Sequence, residues 1–516
     1  MLPLLLTLFL PALGADPCVE ASDRLRDLVD AGAPCATAPL WGVLHDLRAA
    51  DCDLVPLSAL GLAIPDQDRP TLRASRRDEK LVRDAFGTFN VYETPNFAIK
   101  WGNYTGFSLA DVQSLGDAFE TSWDKEVSDL AFPAPIGTEN YKFNVYVGDS
   151  GAGAPSSLGS AGYYWYDDDG WPMIVVGASQ LADRGNASLT AAHELFHAVQ
   201  AAVGTLGYDQ QAAWYTEATA VWMENEVWPG NPAYAAFLYW FAIRPELSLN
   251  HFKYPSTGSP EEYHQYGAFV FVEYLTETRG DPGIVRRSFL EARVNGDPLV
   301  VLDDLLREEG STVEEAFFDH IAHNATWDYE HEDWYEGWID AYGGWTGDSH
   351  RPAGRTDGET TGWVVAERYL PRTFGAAYWE LRSLPEGGTV SFDGRVDTDV
   401  PAQWHAVVAV QEGTEHRRVE IPLVEDAGTL EIDDLGSFDE AWLVVGAADG
   451  FVDRGDAWAY ALRVEAPVVE DPGSEDDRKA CGCANVGHVP AWAWVVALVT
   501  WRRSRVSSAR RRSRSR

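Results

Sequence analysis

Downstream of residue 88 the spacing of apolar positions changes repeatedly, and each change marks an element. "NVYETPNFAIKWG" alternates in the manner of extended chain, whereas "FSLADVQSLGDAFETSWDKEVSDLAF" carries apolar residues at helical spacing behind Ser108, a residue suited to cap a helix start. "YKFNVYVGD" alternates like a strand, and "GYYWYDDDGWPMIVVGAS" reads as two strands around an acidic Asp-Gly turn. A helix containing "TAAHELFHAVQ" comes next, with "NASLT" expected to supply its cap and Gly204 its stop. Residues 211 to 345 then read as mostly helical.

From about 359 to 465 the texture is different. "WVVAERYL", "AAYWELRSL", "GTVSFDG", "WHAVVAVQE", "RRVEIPLVE", "GTLEIDDL", "EAWLVVGAA" and "AWAYALRVE" are short β-rich runs at regular spacing, separated by Gly, Asp and Pro. That rhythm is the mark of a β-sandwich. The expected fold class is α+β: a mixed sheet with a helical lobe over 87–350, followed by an all-β sandwich over 351–466. Ahead of them, residues 15–86 form a polar, helix-patterned segment, either a propeptide or a small N-terminal domain, in which Arg76 and Arg77 offer a processing site. Behind them, 467–480 is an acidic linker containing Pro and Gly.

The two ends bear on location. Residues 1–14 join a leucine-rich apolar run to Ala12-Leu13-Gly14, the small-x-small pattern of a signal peptide, and the run is too short for a membrane anchor. Residues 481–516 combine Cys481-Gly482-Cys483, an apolar stretch from Val486 to Trp501 and eight arginines, an order suited to a short membrane segment with a cytoplasmic basic end. Export to the cell surface or the medium is the expectation.

Composition narrows the partners. The chain has 516 residues, 45% of them hydrophobic, so it is globular and long enough for more than one core. Asp and Glu number 80 against 40 Lys and Arg, a balance that repels phosphate backbones and argues against nucleic acid. Cys18, Cys35 and Cys52 allow one disulfide with a spare thiol, or a thiolate cap on a metal in a latent form. Between Cys52 and Cys481 there is no cysteine, so the central region folds without covalent staples.

The chemistry sits in "HELFH". His193 and His197 are four apart, which on a helix stacks both imidazoles on one face, within reach of a single tetrahedral zinc. Glu194 lies beside them, free to take a proton from water whose pKa the metal has lowered. With 12 histidines in the chain the pattern alone is a modest filter, and merely packed histidines are its bland alternative. A catalytic zinc needs a third ligand and an open position. Glu217 in "WYTEATAVWMENEV" is the best candidate, since the intervening "GTLGYDQQAA" permits a loop and an antiparallel return; Glu224 and Glu226 are the alternatives. "EEYHQYGAFVFVEYL" offers Tyr263, His264 and Tyr266 as donors to a developing oxyanion. Asp167 to Asp169 could take calcium, although a tight acidic hairpin explains them equally well.

These residues resemble the glutamate-zincins, and more narrowly a family of secreted metalloproteases, over roughly residues 90 to 350. The resemblance implies His193, His197 and Glu217 as zinc ligands, Glu194 as general base, Tyr266 (with His264 as substitute) as oxyanion donor, and a protein or peptide substrate. Some glutamate-zincins carry an aspartate four residues after the ligand glutamate; here Val221 stands there, so another group, Glu224 or a backbone carbonyl, must orient a metal histidine. The C-terminal 36 residues resemble the sorting tails of myxobacteria and their relatives, which implies membrane insertion and processing by a dedicated peptidase. The rival reading is a surface adhesin with an inactive or structural metal domain. Hydrolysis of a non-peptide bond is a third.

Overall fold

The computed structural model describes residues 80–465, apart from positions 89, 105, 168, 209–210, 344–352, 358–361, 383, 385–387, 397–401 and 436. The expected signal peptide, the three N-terminal cysteines, Arg76 and Arg77, the acidic linker and the C-terminal tail lie outside the described residues. Among the described residues no helix is long and apolar enough to cross a membrane.

The architecture is α+β. Strands β1 (Asn90–Glu93) and β2 (Phe97–Trp101) form a hairpin, followed by α1 (Leu109–Trp123) and a π-helical turn over Asp124–Asp129. Next come β3 (Phe143–Gly148), β4 (Gly162–Tyr166) and β5 (Pro172–Gly177). The sheet order is β1-β2-β3-β5-β4, with β2, β3 and β5 parallel and β1 and β4 antiparallel at the edges. Ser108 caps α1 in a reciprocal capping box with Asp111, as its position in sequence predicts.

Helix α2 (Arg184–Val203) carries the histidine motif. Its cap is Asp183, which accepts from the N–H groups of Gly185 and Asn186, so "NASLT" lies inside the helix rather than at its start. Gly204 ends it in the left-handed conformation at φ 70°. Helix α3 (Ala213–Val227) follows, and every residue in it except Glu226 is buried. The rest of the lobe is α4 (Leu238–Ala242), α5 (His264–Gly267), α6 (Phe269–Arg279), α7 (Gly283–Glu291), α8 (Pro298–Glu308), α9 (Val313–Asn324) and α10 (Glu332–Gly343).

The remaining strands are β6 (Gly354–Asp357), β7 (Val364–Val365), β8 (Gly375–Arg382), β9 (Thr389–Asp393), β10 (Gln403–Glu412), β11 (Glu415–Glu420), β12 (Ala427–Glu431), β13 (Glu440–Ala448) and β14 (Ala461–Glu465). They make two sheets, β11-β10-β13-β8-β6 and β12-β9-β14-β7. Side-chain alternation divides the first sheet between two cores. Ala377, Trp379, Val408, Leu443 and Val445 join Phe392 and Leu462 of the second sheet in one core. Tyr378, Val407, Ala409, Trp442 and Val444 point the other way, into the same core as the helices α2, α3, α6 and α9. Residues 80–465 accordingly fall in one compact unit, with no break at 350.

The N-terminal boundary also moves. Leu81, inside the segment expected to end at 86, pairs with Tyr141, and its carbonyl accepts from Lys142 N–H at 2.9 Å. Arg83 lies between the rings of Tyr141 and Trp171, 4.6 and 4.0 Å from their centroids. The folded unit thus begins by Lys80. A cation stacked on aromatics leaves no apolar period to read.

Candidate metal centre

Helices α2 and α3 run antiparallel, since Gln200 meets Thr216 and Thr219 while His193, almost two turns earlier, meets Glu224. That pairing brings together the side chains that the sequence singles out. The rings of His193 and His197 stand 4.8 Å apart. Glu217 Oε2 lies 3.3 Å from His193 Nε2 and 3.5 Å from His197 Nε2. Three ligand atoms on tetrahedral bonds of ~2.0–2.1 Å stand roughly 3.3 Å from each other, so the spacing fits a zinc-sized ion. Oε2 is buried and accepts no hydrogen bond, an acceptor left free in a closed interior. Among the described residues, His193, His197 and Glu217 are the one group of this kind able to hold a metal.

Each imidazole is fixed from behind. His193 Nδ1 donates to Glu224 Oε1 at 2.8 Å, the role left open by Val221. His197 Nδ1 lies 2.8 Å from Gln200 Oε1. The Gln200 amide donates from Nε2 to the Thr216 carbonyl and Thr219 hydroxyl, so its oxygen must accept from His197. Both Nε2 atoms are thereby turned to Glu217. Gln200 escaped the sequence reading although it stands three residues after His197, on the same helix face. Tyr208 escaped it too, and its hydroxyl donates to Glu217 Oε1.

The electrostatics follow from burying so many charges. Burial opposes a proton on His193, but its contacts with Glu217 and Glu224 outweigh this and hold its pKa well above the usual imidazole value. His197 is raised in the same way, burial being overcome by the Glu217 carboxylate. Burial works against the charge on Glu217, yet the two imidazoles keep it well below the usual carboxylate range. Glu194 is raised chiefly by burial. It is 6% exposed, its carboxylate accepts from the Tyr164 N–H of β4, and Oε2 is unpartnered. Glycine is required opposite it: a Cβ on Gly162 would lie 2.9 Å from Glu194 Cγ and 2.7 Å from Thr190 Cγ2.

Residues 73–458 match the model of a family described as a family of unknown function, DUF6055. The chain belongs to the DUF6055 family. The matched span holds the whole His-His-Glu group and the strands from β1 to β13, and it ends ahead of β14. No curated protein matches this DUF6055 chain.

The expected oxyanion donors part company. Tyr266 lies beside the group, its ring stacked 6.2 Å from that of His193, and burial keeps its phenol protonated. His264 is fully buried elsewhere, its ring 4.8 Å from Phe241 and 5.8 Å from His251, so it is not part of the centre. Helix α5 turns positions 264 and 266 to different sides. Tyr263 packs on Trp240, 5.4 Å away. Glu226, an alternative ligand, pairs with Lys125 at 2.8 Å. At the acidic hairpin, Asp167 Oδ1 accepts from the N–H groups of Asp169 and Trp171, a turn role for that aspartate.

Proposed function

We propose that this chain is an exported, zinc-dependent endopeptidase. The observation that carries the reading is a carboxylate that no ligand role needs. Glu194 lies next to three convergent ligand groups with one oxygen unpartnered, and a purely structural metal site has no use for it. The donor set, two imidazoles and one carboxylate, is that of catalytic zinc. When bound there, zinc supplies Lewis acidity and makes water a nucleophile near neutral pH.

The chain's own groups supply the rest. His193, His197 and Glu217 hold the ion. Glu194 takes the proton from the attacking water and passes it to the leaving nitrogen as the C–O bond forms and the C–N bond breaks. Tyr266, kept protonated, donates to the carbonyl oxygen as charge develops on it. Strand β4 is an edge strand of its sheet, and its Tyr164 N–H already faces Glu194, so an extended peptide laid along β4 presents its backbone to that carboxylate.

In this reading the helix-and-sheet region is zincin-like, the paired C-terminal sheets form a β-sandwich, residues 1–14 direct export, the segment ahead of the family match is a latency segment, and 481–516 is a surface-sorting tail. The test uses the full chain. Wild type is expected to hold about one zinc per molecule and to cleave casein, with chelation abolishing cleavage and zinc restoring it. Glu194→Gln is expected to keep the zinc and lose at least 100-fold in rate. A zinc-loaded wild type without hydrolytic activity, indistinguishable from Glu194→Gln, would overturn the assignment in favour of a binding protein.

A further inference from the structure

The two oxygens of Glu217 have different surroundings. Oε2 faces both imidazole Nε2 atoms and accepts no hydrogen bond, whereas Oε1 accepts the Tyr208 hydroxyl. We propose that Tyr208 is a positioning residue that commits Glu217 to bind the metal through Oε2 alone, leaving the remaining corner of the site for the reacting groups. The inference rests on the proposed zinc site and concerns how its carboxylate is used.

An ionised carboxylate has about four lone-pair directions over two oxygens and can chelate through both. Chelation by Glu217 would fill the position that substrate or water needs. A phenol donating to Oε1 occupies one of that oxygen's two lone-pair directions, weakens it as a second metal ligand and fixes the rotation of the carboxylate. Tyr208 is well held for this purpose. Its ring meets Phe252 edge-on at 5.7 Å, and its loop is tied down at Thr205, whose carbonyl accepts from Asn295 N–H at 2.8 Å. An ordinary phenol, with a pKa near ~10, is protonated through the neutral range, so the donor stays a donor. The residue is 37% exposed, so it reaches from solvent to Glu217 and belongs to neither helix of the pair.

The experiment compares the full chain with Tyr208→Phe, which keeps the ring on Phe252 and removes only the hydroxyl. The metal-free proteins are first checked by circular dichroism, and Tyr208→Leu removes the hydroxyl by a second route should the Phe variant not fold. Each is then loaded with Co²⁺, whose visible bands are strong in four-coordinate sites and weaken as coordination rises. Zinc affinity is measured by chelator competition. Wild type is expected to give the strong four-coordinate bands. The variant is expected to give weaker bands and a zinc Kd raised about tenfold. Superimposable cobalt spectra from a wild type and variant that both bind metal overturn this inference alone. A wild type that takes up neither metal overturns it together with the zinc reading.

Discussion

Gly162 is where one missing methyl group leaves room for the Glu194 carboxylate. Gly162→Ala places a carbon 3.1 Å from Glu194 Oε1, 2.9 Å from its Cγ and 2.7 Å from Thr190 Cγ2, so the carboxylate or the strand must shift. The expected outcome is at least a tenfold loss of peptidase activity with zinc content unchanged, because no ligand is touched; a fully active Gly162→Ala protein would argue against the role given to Glu194. Protonation supplies a second test. His193 and His197 both sit above the usual imidazole value in the metal-free protein, and both must be neutral to ligate. At the proposed site zinc uptake must therefore displace protons, and affinity should climb with pH through the ordinary imidazole value of ~6.5 and level off only once both raised values are passed. Calorimetry in buffers of different ionisation heat reads that release directly, and a pH-independent affinity would contradict it. The HExxH spacing was legible because helical periodicity stacks residues four apart, and Glu217 because the run between the helices allows an antiparallel return; Glu224 lies two turns further along the same face. Tyr208 was not legible, since it comes from a loop whose path no periodicity fixes.

Most of the elements could be read from the chain. All eight of the apolar runs between 359 and 465 contain a strand, and Ser108 and Gly204 bound their helices as expected. What sequence could not show is how much charge the helices bury. Helix α6 carries Glu273, 3% exposed and bonded to Asn225 Nδ2 at 2.9 Å, and Glu277, whose pKa is pushed up to about 7 by burial, with the Glu330 N–H opposing and the Glu330 carboxylate adding to it. In the unfolded chain a glutamate titrates near ~4.3. The folded form thus holds a proton that the unfolded form has lost between these values. The resulting stabilisation is complete below ~4.3 and is gone once the pH has risen through about 7. Glu277→Gln removes the penalty of burying that charge. It should raise stability at pH 8 by about 1 kcal/mol, after discounting for partial exposure, and have little effect at pH 4. Denaturant unfolding of both proteins at the two pH values measures the difference, and an equal effect at both would refute the assignment.

At the scale of the whole molecule, the region beyond 350 reads in sequence as a separate module, and the structure makes it part of the lobe. The clue was present in "WHAVVAVQE": Ala406 to Val410 are all buried, an apolar run with no polar face, which marks a strand covered on both sides. One side meets the second sheet and the other meets the helices. The approach is close enough that a Cβ on Gly446 would lie 2.6 Å from Ile321 Cδ1. Polar ties reinforce it: Tyr378 donates to the Ile321 carbonyl at 3.0 Å, and Arg418 pairs with Asp328 at 2.6 Å. Backbone bonds from Leu249 to Phe374 and from Ala376 to Pro245, both 2.7 Å, join the segment leading to Phe252 to the first residues of β8. Cutting at 350 would strip all of this from α9 and expose Phe317, Phe318 and Ile321, so the hydrophobic burial that holds the α2–α3 pair would lose its far wall. A fragment of residues 73–350 is therefore expected to be poorly soluble and to lack a cooperative thermal transition, while residues 73–465 melt in one step. Scanning calorimetry and zinc binding on the two fragments decide it. A 73–350 fragment that melts sharply and binds zinc as tightly as the longer one would restore the modular picture and free the C-terminal sheets for an independent role.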